Sequence, residues 1–252
     1  MVTCVLKGRR GNQYFIAAAA IAYALKHDLD LHIPDHTLDD QAWPPLITDM
    51  VNPDFKERPV VTLKEEHFNY RKLPFDDSWR FANICLDGYY QSYKYFEGYR
   101  KEILSAFRLQ ESTREGWTGI HVRRGDYLKY PTMHPVVTAR YIREAVELMP
   151  GRQKFMICSD DMAWCKKYLD GLLFGKRYFE YAEGGSEWDD LVSLMRCEHL
   201  IISNSTFGWW AAWANSNPSK IVITPGAAKW FGVDYSHMDT SDLIPREWIQ
   251  LT

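Results

Sequence analysis

Gly119-Ile120-His121-Val122-Arg123-Arg124-Gly125-Asp126-Tyr127 is a short apolar run that ends abruptly in two arginines, a glycine and an acid. An apolar run of strand length closing on a polar turn is how a buried parallel strand leaves its sheet. Downstream the same alternation repeats: helix 138–149, strand 154–158, helix 160–169, strand 177–181, helix 188–199, strand 200–203, helix 207–215 and strand 220–224. Strand and helix units alternating at these lengths specify a parallel sheet with helices on both faces.

Working back toward the N-terminus, 2–6 reads as a strand and 12–26 as a helix, where four alanines at 17–20 favour helix and permit close approach to a sheet. A second strand follows at 29–33, stopped by Pro34. Between 35 and 81 the periodicity dissolves among prolines (Pro44, Pro45, Pro53, Pro59, Pro74), and the stretch reads as irregular. Order returns with strand 84–86 and helix 95–109, and the polar stretch 110–117 marks a boundary. The expectation is an α/β protein of two Rossmann-like doubly wound domains, 1–112 and 113–252.

Composition narrows the function. Thirty Lys and Arg against 33 Asp and Glu leave a net charge of −3, so no overall basic balance attracts nucleic acid. Aromatic residues make up 15%, which suits packed cores and also clefts that stack sugars. Five cysteines form no CxxC pair and read as reduced, mostly buried thiols of a cytosolic protein, not a zinc site. No apolar run reaches the ~18 residues of a membrane span, and the N-terminus has no secretory pattern. The expected location is cytoplasmic, with peripheral contact at the inner face of a membrane compatible with it.

In an open α/β sheet, ligands bind beyond the carboxyl ends of the strands, and four polar clusters fall there. Gly8-Arg9-Arg10-Gly11-Asn12-Gln13 precedes the first helix, so Gly11, Asn12 and Gln13 offer an anion free N–H groups; an ordinary strand-to-helix turn is the alternative. In 121–127, Arg123 and Arg124 supply guanidiniums suited to two-pronged phosphate binding, and Asp126 is either a base or the ion-pair partner of one of them. Ser159-Asp160-Asp161 is either a helix cap with Ser159 as N-cap, or a carboxylate that accepts hydrogen bonds from a base edge or sugar hydroxyls. Ser203-Asn204-Ser205-Thr206-Phe207 sets hydroxyls and amides at a helix start, where they can cradle a phosphate. Together these describe a nucleoside-diphosphate site. Asp160 and Asp161 are adjacent, not alternate, so no Asp-x-Asp pair stands ready for a metal, and arginine is the expected counter-charge for the leaving phosphate.

HVRRGDY (121–127), SDDMAWC (159–165) and HLIISNSTFGWWAAW (199–213) resemble, in that order, the three blocks of glycosyltransferase family 11, the bacterial-type α-1,2-fucosyltransferases. GRRGNQYF (8–15) resembles that family's GRLGNQMFQYA, with Arg10 in place of leucine. LDGYYQSYKYF (86–96) resembles its LxGYWQSEKYF. The resemblance implies a GT-B-like fold with the donor site in the cleft between two domains, 1–112 on the acceptor side and 113–252 binding GDP-fucose. It also implies inverting, metal-independent transfer of L-fucose from GDP-β-L-fucose, a substrate and not a cofactor, with no metal site. By motif, Arg123 binds the β-phosphate with Arg124 beside it. His121 and one of Asp160 or Asp161 hold the guanosine, Ser205 and Thr206 bind phosphate, and Phe207 lies near the nucleotide. Asn12 matches a catalytically important asparagine of the protein O-fucosyltransferases. The candidate catalytic residues are thus Arg123, Asp126 and Asn12.

The acceptor the resemblance implies is the 2-hydroxyl of a terminal galactoside, on an oligosaccharide or lipid-linked glycan, with Trp209, Tyr89 and Tyr90 as aromatics that can stack a sugar. Trp209 and Trp210 as plain core is the alternative, since Ala211-Ala212-Trp213 continues a buried helix. The rivals are a transferase of another GDP-sugar or another fucose linkage and, from a different class, a non-catalytic nucleotide-sugar or glycan-binding protein. The second rival needs only the guanosine contacts, so the joint presence of Arg123, Asn12 and Asp126 argues against it.

Overall fold

A computed structural model describes residues 1–34, 58–110, 112–151, 154–173 (side chains to Leu169) and 178–252. The chain divides into two compact units, Met1–Gln110 with Met238–Pro245, and Glu111–His237 with Arg246–Thr252. Residues 238–245, which the boundary at 112/113 assigned to the second domain, group with the first unit.

The first unit carries β1 (Val2–Cys4), α1 (Arg10–His27), β2 (Val60–Lys64), β3 (Asn83–Asp87) and α2 (Arg100–Ala106). Its parallel sheet runs in the order β1-β3-β2. The alanines at 17–20 are at most 1% exposed, so α1 packs tightly, as small side chains permit. Three expectations shift. The strand at 29–33 is a single bridge from Leu31 to Val2. The helix at 95–109 is shorter, with 3-10 turns at Tyr93–Tyr95 and Glu97–Tyr99 before α2, where Gly98 weakens helix propensity. β2 lies inside the stretch read as irregular, whose part 35–57 is outside the described residues.

The second unit follows the expected alternation closely. Its elements are β4 (Arg114–Val122), α3 (Ala139–Glu147), β5 (Lys154–Ser159), α4 (Met162–Leu173), β6 (Phe179–Tyr181), α5 (Glu187–Arg196), β7 (Cys197–Ile201), α6 (Thr206–Ala214), β8 (Val222–Pro225) and β9 (Ile249–Leu251). All six strands are parallel, in the order β6-β5-β4-β7-β8-β9. This is the doubly wound order 3-2-1-4-5-6. Ile120, Val122, Phe155, Ile157, Ile201 and Ile223 fill the core against Ile142, Val146 and Leu169 of the helices. Each such burial stabilises the fold by roughly 1.5–3 kcal/mol. Gly119 lets α5 lie close to the sheet, because a Cβ there would meet Leu194 Cδ2 at 2.9 Å. Among the described residues no helix is long and apolar enough to cross a membrane.

Candidate functional site

In the second sheet the connections leave β4 and β7 in opposite directions, toward β5 and toward β8. Neighbouring strands with diverging connections open a crevice at their carboxyl ends. Arg123, Arg124 and Asp126 follow β4, Ser203 to Thr206 follow β7, and Asp160 and Asp161 follow β5, one strand away.

The arginines are held by carboxylates. Arg123 donates from Nη2 to Asp126 Oδ1 at 2.6 Å and from Nη1 to Asp160 Oδ2 at 2.9 Å. Arg124 donates from Nε to Asp161 Oδ2 at 3.0 Å, and its backbone N–H donates to Asp160 Oδ1 at 2.8 Å. The Arg124 guanidinium lies 4.1 Å from the ring centre of Trp164, a cation–π contact that fixes its plane. Gly125 lets the turn close over Asp160, since a Cβ there would stand 2.4 Å from Asp160 Oδ2. Both arginine side chains are about 15% exposed or less. A guanidinium has five donors, so each arginine keeps N–H groups beyond those spent on carboxylates, enough for two-pronged contact with an anion.

Ser203 ties the two central strands at the crevice floor. Its Oγ accepts the Arg123 backbone N–H at 2.9 Å and donates to the His121 carbonyl at 2.9 Å. Ser205 is the N-cap of α6, its Oγ accepting the Phe207 N–H at 3.4 Å, and Thr206 opens the helix. The first turn of α6 therefore offers an anion its helix dipole and hydroxyls. His121 is buried beneath it, with its ring centre 5.1 Å from that of Phe207. Its Nδ1 has no hydrogen-bond partner among the described residues. Burial, with the Arg123 charge second, pushes its pKa down to about 3, so the imidazole is neutral.

Gly11, Asn12 and Gln13 lie in the first unit, at the start of α1, which begins at Arg10 with no side-chain cap. Asn12 Oδ1 accepts from Gln91 Nε2 at 3.0 Å, and Gln13 Nε2 donates to the Gly8 carbonyl at 3.0 Å. Gly8, at φ +72°, brings its Cα against Asn12, because a Cβ would lie 2.5 Å from Asn12 Nδ2. Asn12 is thereby locked in one pose.

Of the two arginines open to it in the sequence reading, Asp126 pairs with Arg123, while Arg124 takes Asp161. Other details differ from that reading. The cap of α4 is Asp161, whose Oδ1 accepts the Trp164 N–H at 3.1 Å; Ser159, the expected N-cap, instead accepts the Asp161 N–H at 2.9 Å. Trp209 and Tyr90 are fully buried, so neither can stack a sugar. Trp209 packs on Trp210, Trp213 and Trp248 as core. Tyr89 is half-buried, with Lys7 Nζ 5.1 Å from its ring centre. Trp164 was not singled out, although it follows Asp161 at the i+3 spacing of a capped helix, and Ser203 and Asn204, read as part of a phosphate cradle, spend their side-chain bonds on backbone groups of the fold. Asn204 Nδ2 donates to the carbonyls of Pro135 and Trp230, both at 2.9 Å, and long-range contacts of that kind leave no local signature. Among the described residues no three His, Cys, Asp or Glu side chains cluster as a ligand set for a metal.

The family model for glycosyl transferase family 11 matches residues 46–251. An Escherichia coli alpha-1,2-colitosyltransferase is 26% identical over 187 residues, covering 68% of this chain and 63% of the relative. The Bos taurus galactoside 2-alpha-L-fucosyltransferase SEC1 is 31% identical over 236 residues, covering 82% of this chain and 62% of the relative. The chain thus spans about three fifths of the length of these curated relatives. The crystal structure of POFUT1 in complex with GDP superposes with a TM-score of 0.50 at 12% identity, covering 88% of this chain and 97% of that one, a likeness of fold.

Proposed function

The chain belongs to glycosyl transferase family 11, and on that premise we propose that it transfers L-fucose from GDP-β-L-fucose, with inversion, to the 2-hydroxyl of a terminal galactoside. The observation that carries the reading is the pair of half-buried guanidiniums beside a hydroxyl-rich helix start at the switch point of a doubly wound sheet. That arrangement fits a diphosphate. The relative named as a galactoside fucosyltransferase supports the sugar and the acceptor.

In this reading the leaving diphosphate gains negative charge as its bond to the sugar stretches. Arg123 and Arg124 meet that charge, with Ser205 and Thr206 at the α6 N-terminus, in place of a divalent ion. Asp160 or Asp161 accepts from guanine N1–H and N2–H. Phe207 lies beside the nucleotide, with buried His121 behind it. Asp126 orients Arg123 and is the candidate base for the acceptor hydroxyl. The five cysteines are free thiols, which fits a reducing cytoplasm.

The colitosyltransferase relative favours a second reading within the class, the same linkage made with a different sugar. A donor screen decides between them. Release of the nucleoside diphosphate is followed with GDP-fucose, GDP-linked colitose, GDP-mannose and UDP-galactose (GDP from the first three, UDP from the last), with and without galactosides and with and without EDTA, and the product linkage is read by NMR. GDP-fucose turnover that survives EDTA and yields an α-1,2 product is expected. Activity abolished by EDTA and restored by Mn²⁺ would defeat the metal-free step, and a 1→3 linkage would defeat the acceptor assignment.

A further inference from the structure

Two loops of the second unit meet at the carboxyl edge of its sheet, one following β4 and one following β8. Gly232 N–H donates to the Met133 carbonyl at 2.9 Å, and Asp234 N–H donates to the Thr132 carbonyl at 3.1 Å. The approach is so close that a Cβ on Gly232 would stand 2.2 Å from the Thr132 carbonyl oxygen. Asn204 clamps both loops from below through its two bonds, to Pro135 and Trp230.

The clamp fixes an aromatic wall. His134 stacks on Tyr127 with ring centres 4.5 Å apart and planes 16° from parallel. Phe231 lies 6.0 Å and Tyr235 5.7 Å from His134, and 5.5 Å from each other. Tyr127 is anchored by its hydroxyl, which donates to the Asn204 carbonyl at 3.1 Å, and its ring centre is 5.7 Å from the Arg123 guanidinium. All four rings are half-buried, neither sealed into the core nor loose on the surface. Burial lowers the pKa of His134, so its ring stacks as a neutral imidazole.

We propose that this wall of Tyr127, His134, Phe231 and Tyr235 is the acceptor-sugar subsite, taking the C–H face of a β-galactopyranoside. A pyranose presents an apolar face of C–H groups and a rim of hydroxyls. Preorganised aromatic rings suit the face, and the Asp126 carboxylate, about one third exposed at the wall's edge, suits a hydroxyl. The charge distribution separates acceptor from donor. The arginine–carboxylate cluster lies toward β5, whereas Phe231 and Tyr235 come from the β8 side, so the wall lies across β4 and β7 from Asp161. An anion held by the arginines leaves the wall open to an uncharged sugar. The inference rests on the fucosyl-transfer reading for the identity of that sugar.

The test uses the full chain and two independent binding measurements: calorimetry with GDP, and saturation-transfer NMR with methyl β-D-galactopyranoside. Phe231→Ala and Tyr235→Ala are each expected to weaken galactoside binding at least tenfold and to leave GDP affinity within twofold, while Phe231→Trp retains the galactoside. Undiminished galactoside binding in both alanine variants, absence of binding to the wild type, or an equal loss of GDP and galactoside would overturn the assignment. A wild-type chain that ignores GDP but loses galactoside on these substitutions would defeat the donor reading and still support the subsite.

Discussion

Arg123 Nη1 meets Asp160 Oδ2 at 2.9 Å, an ion pair between residues 37 positions apart that joins the carboxyl ends of β4 and β5. With Asp126 on its other amino group, the guanidinium is held from two sides, so its plane is set before any ligand arrives.

Removing that guanidinium removes fixed positive charge from the leaving phosphate. Arg123→Ala is expected to lower kcat by ~10²–10³, the range for loss of one charge-stabilising group. Arg123→Lys keeps the charge but not the planar fork, and fails as well. GDP release from GDP-fucose measures both, and an Arg123→Ala enzyme within threefold of wild type would refute the role.

Asp161 caps α4 and also holds Arg124. Asp161→Ala is expected to cost about 1 kcal/mol of stability through the lost cap, whereas Asp161→Asn, itself a good N-cap, preserves it. Urea unfolding separates the two variants. Equal stability of wild type and Asp161→Ala would mean that the cap contributes nothing.

At position 208 helix propensity and packing oppose each other. Alanine gains up to ~1 kcal/mol in a helix over glycine. A Cβ there, however, lands 2.6 Å from His121 Nδ1 and 3.1 Å from Ile202 Cβ. Overpacking of this kind costs about 1–3 kcal/mol, so Gly208→Ala should lower Tm. A His121→Ser background, which empties the contact, should recover most of the loss. An additive double mutant would contradict the contact.

His121 sets an acid limit on stability. Its pKa falls from 6.5 in the unfolded chain to about 3 in the fold, chiefly through burial. Between those values the unfolded state binds the extra proton, so stability rises with pH. The contribution is complete above pH ~6.5 and is lost progressively as pH falls toward 3, with a limiting slope of about 1.4 kcal/mol per pH unit. Unfolding free energies of wild type and His121→Gln between pH 4 and 7 should converge toward the acid side. Parallel curves would rule the histidine out.

Legibility in the sequence followed burial. β4, β5, β7 and β8 lie inside a parallel sheet covered on both faces, so each reads as an apolar run, and the polar turn after each marks its carboxyl end. β2 was missed because it is an edge strand in a proline-rich stretch, with Val60 62% exposed. β9 was missed because three residues carry no period. Tyr90 and Trp209 misled for a related reason: an aromatic side chain looks the same in a sequence whether it faces a sugar or a core.

What the sequence determined by itself was the alternation of strand and helix, the clustering of arginines, acids and hydroxyls at strand ends, and the family those blocks belong to, because each is encoded in neighbouring residues. Only the tertiary structure decided which partner each charge takes. Arg123 chooses Asp126 and Asp160, Arg124 chooses Asp161, and Asn204 binds loops 69 and 26 residues away. Sheet order brings those groups together. Strand order is fixed by packing between elements distant in the chain, and no local pattern records it.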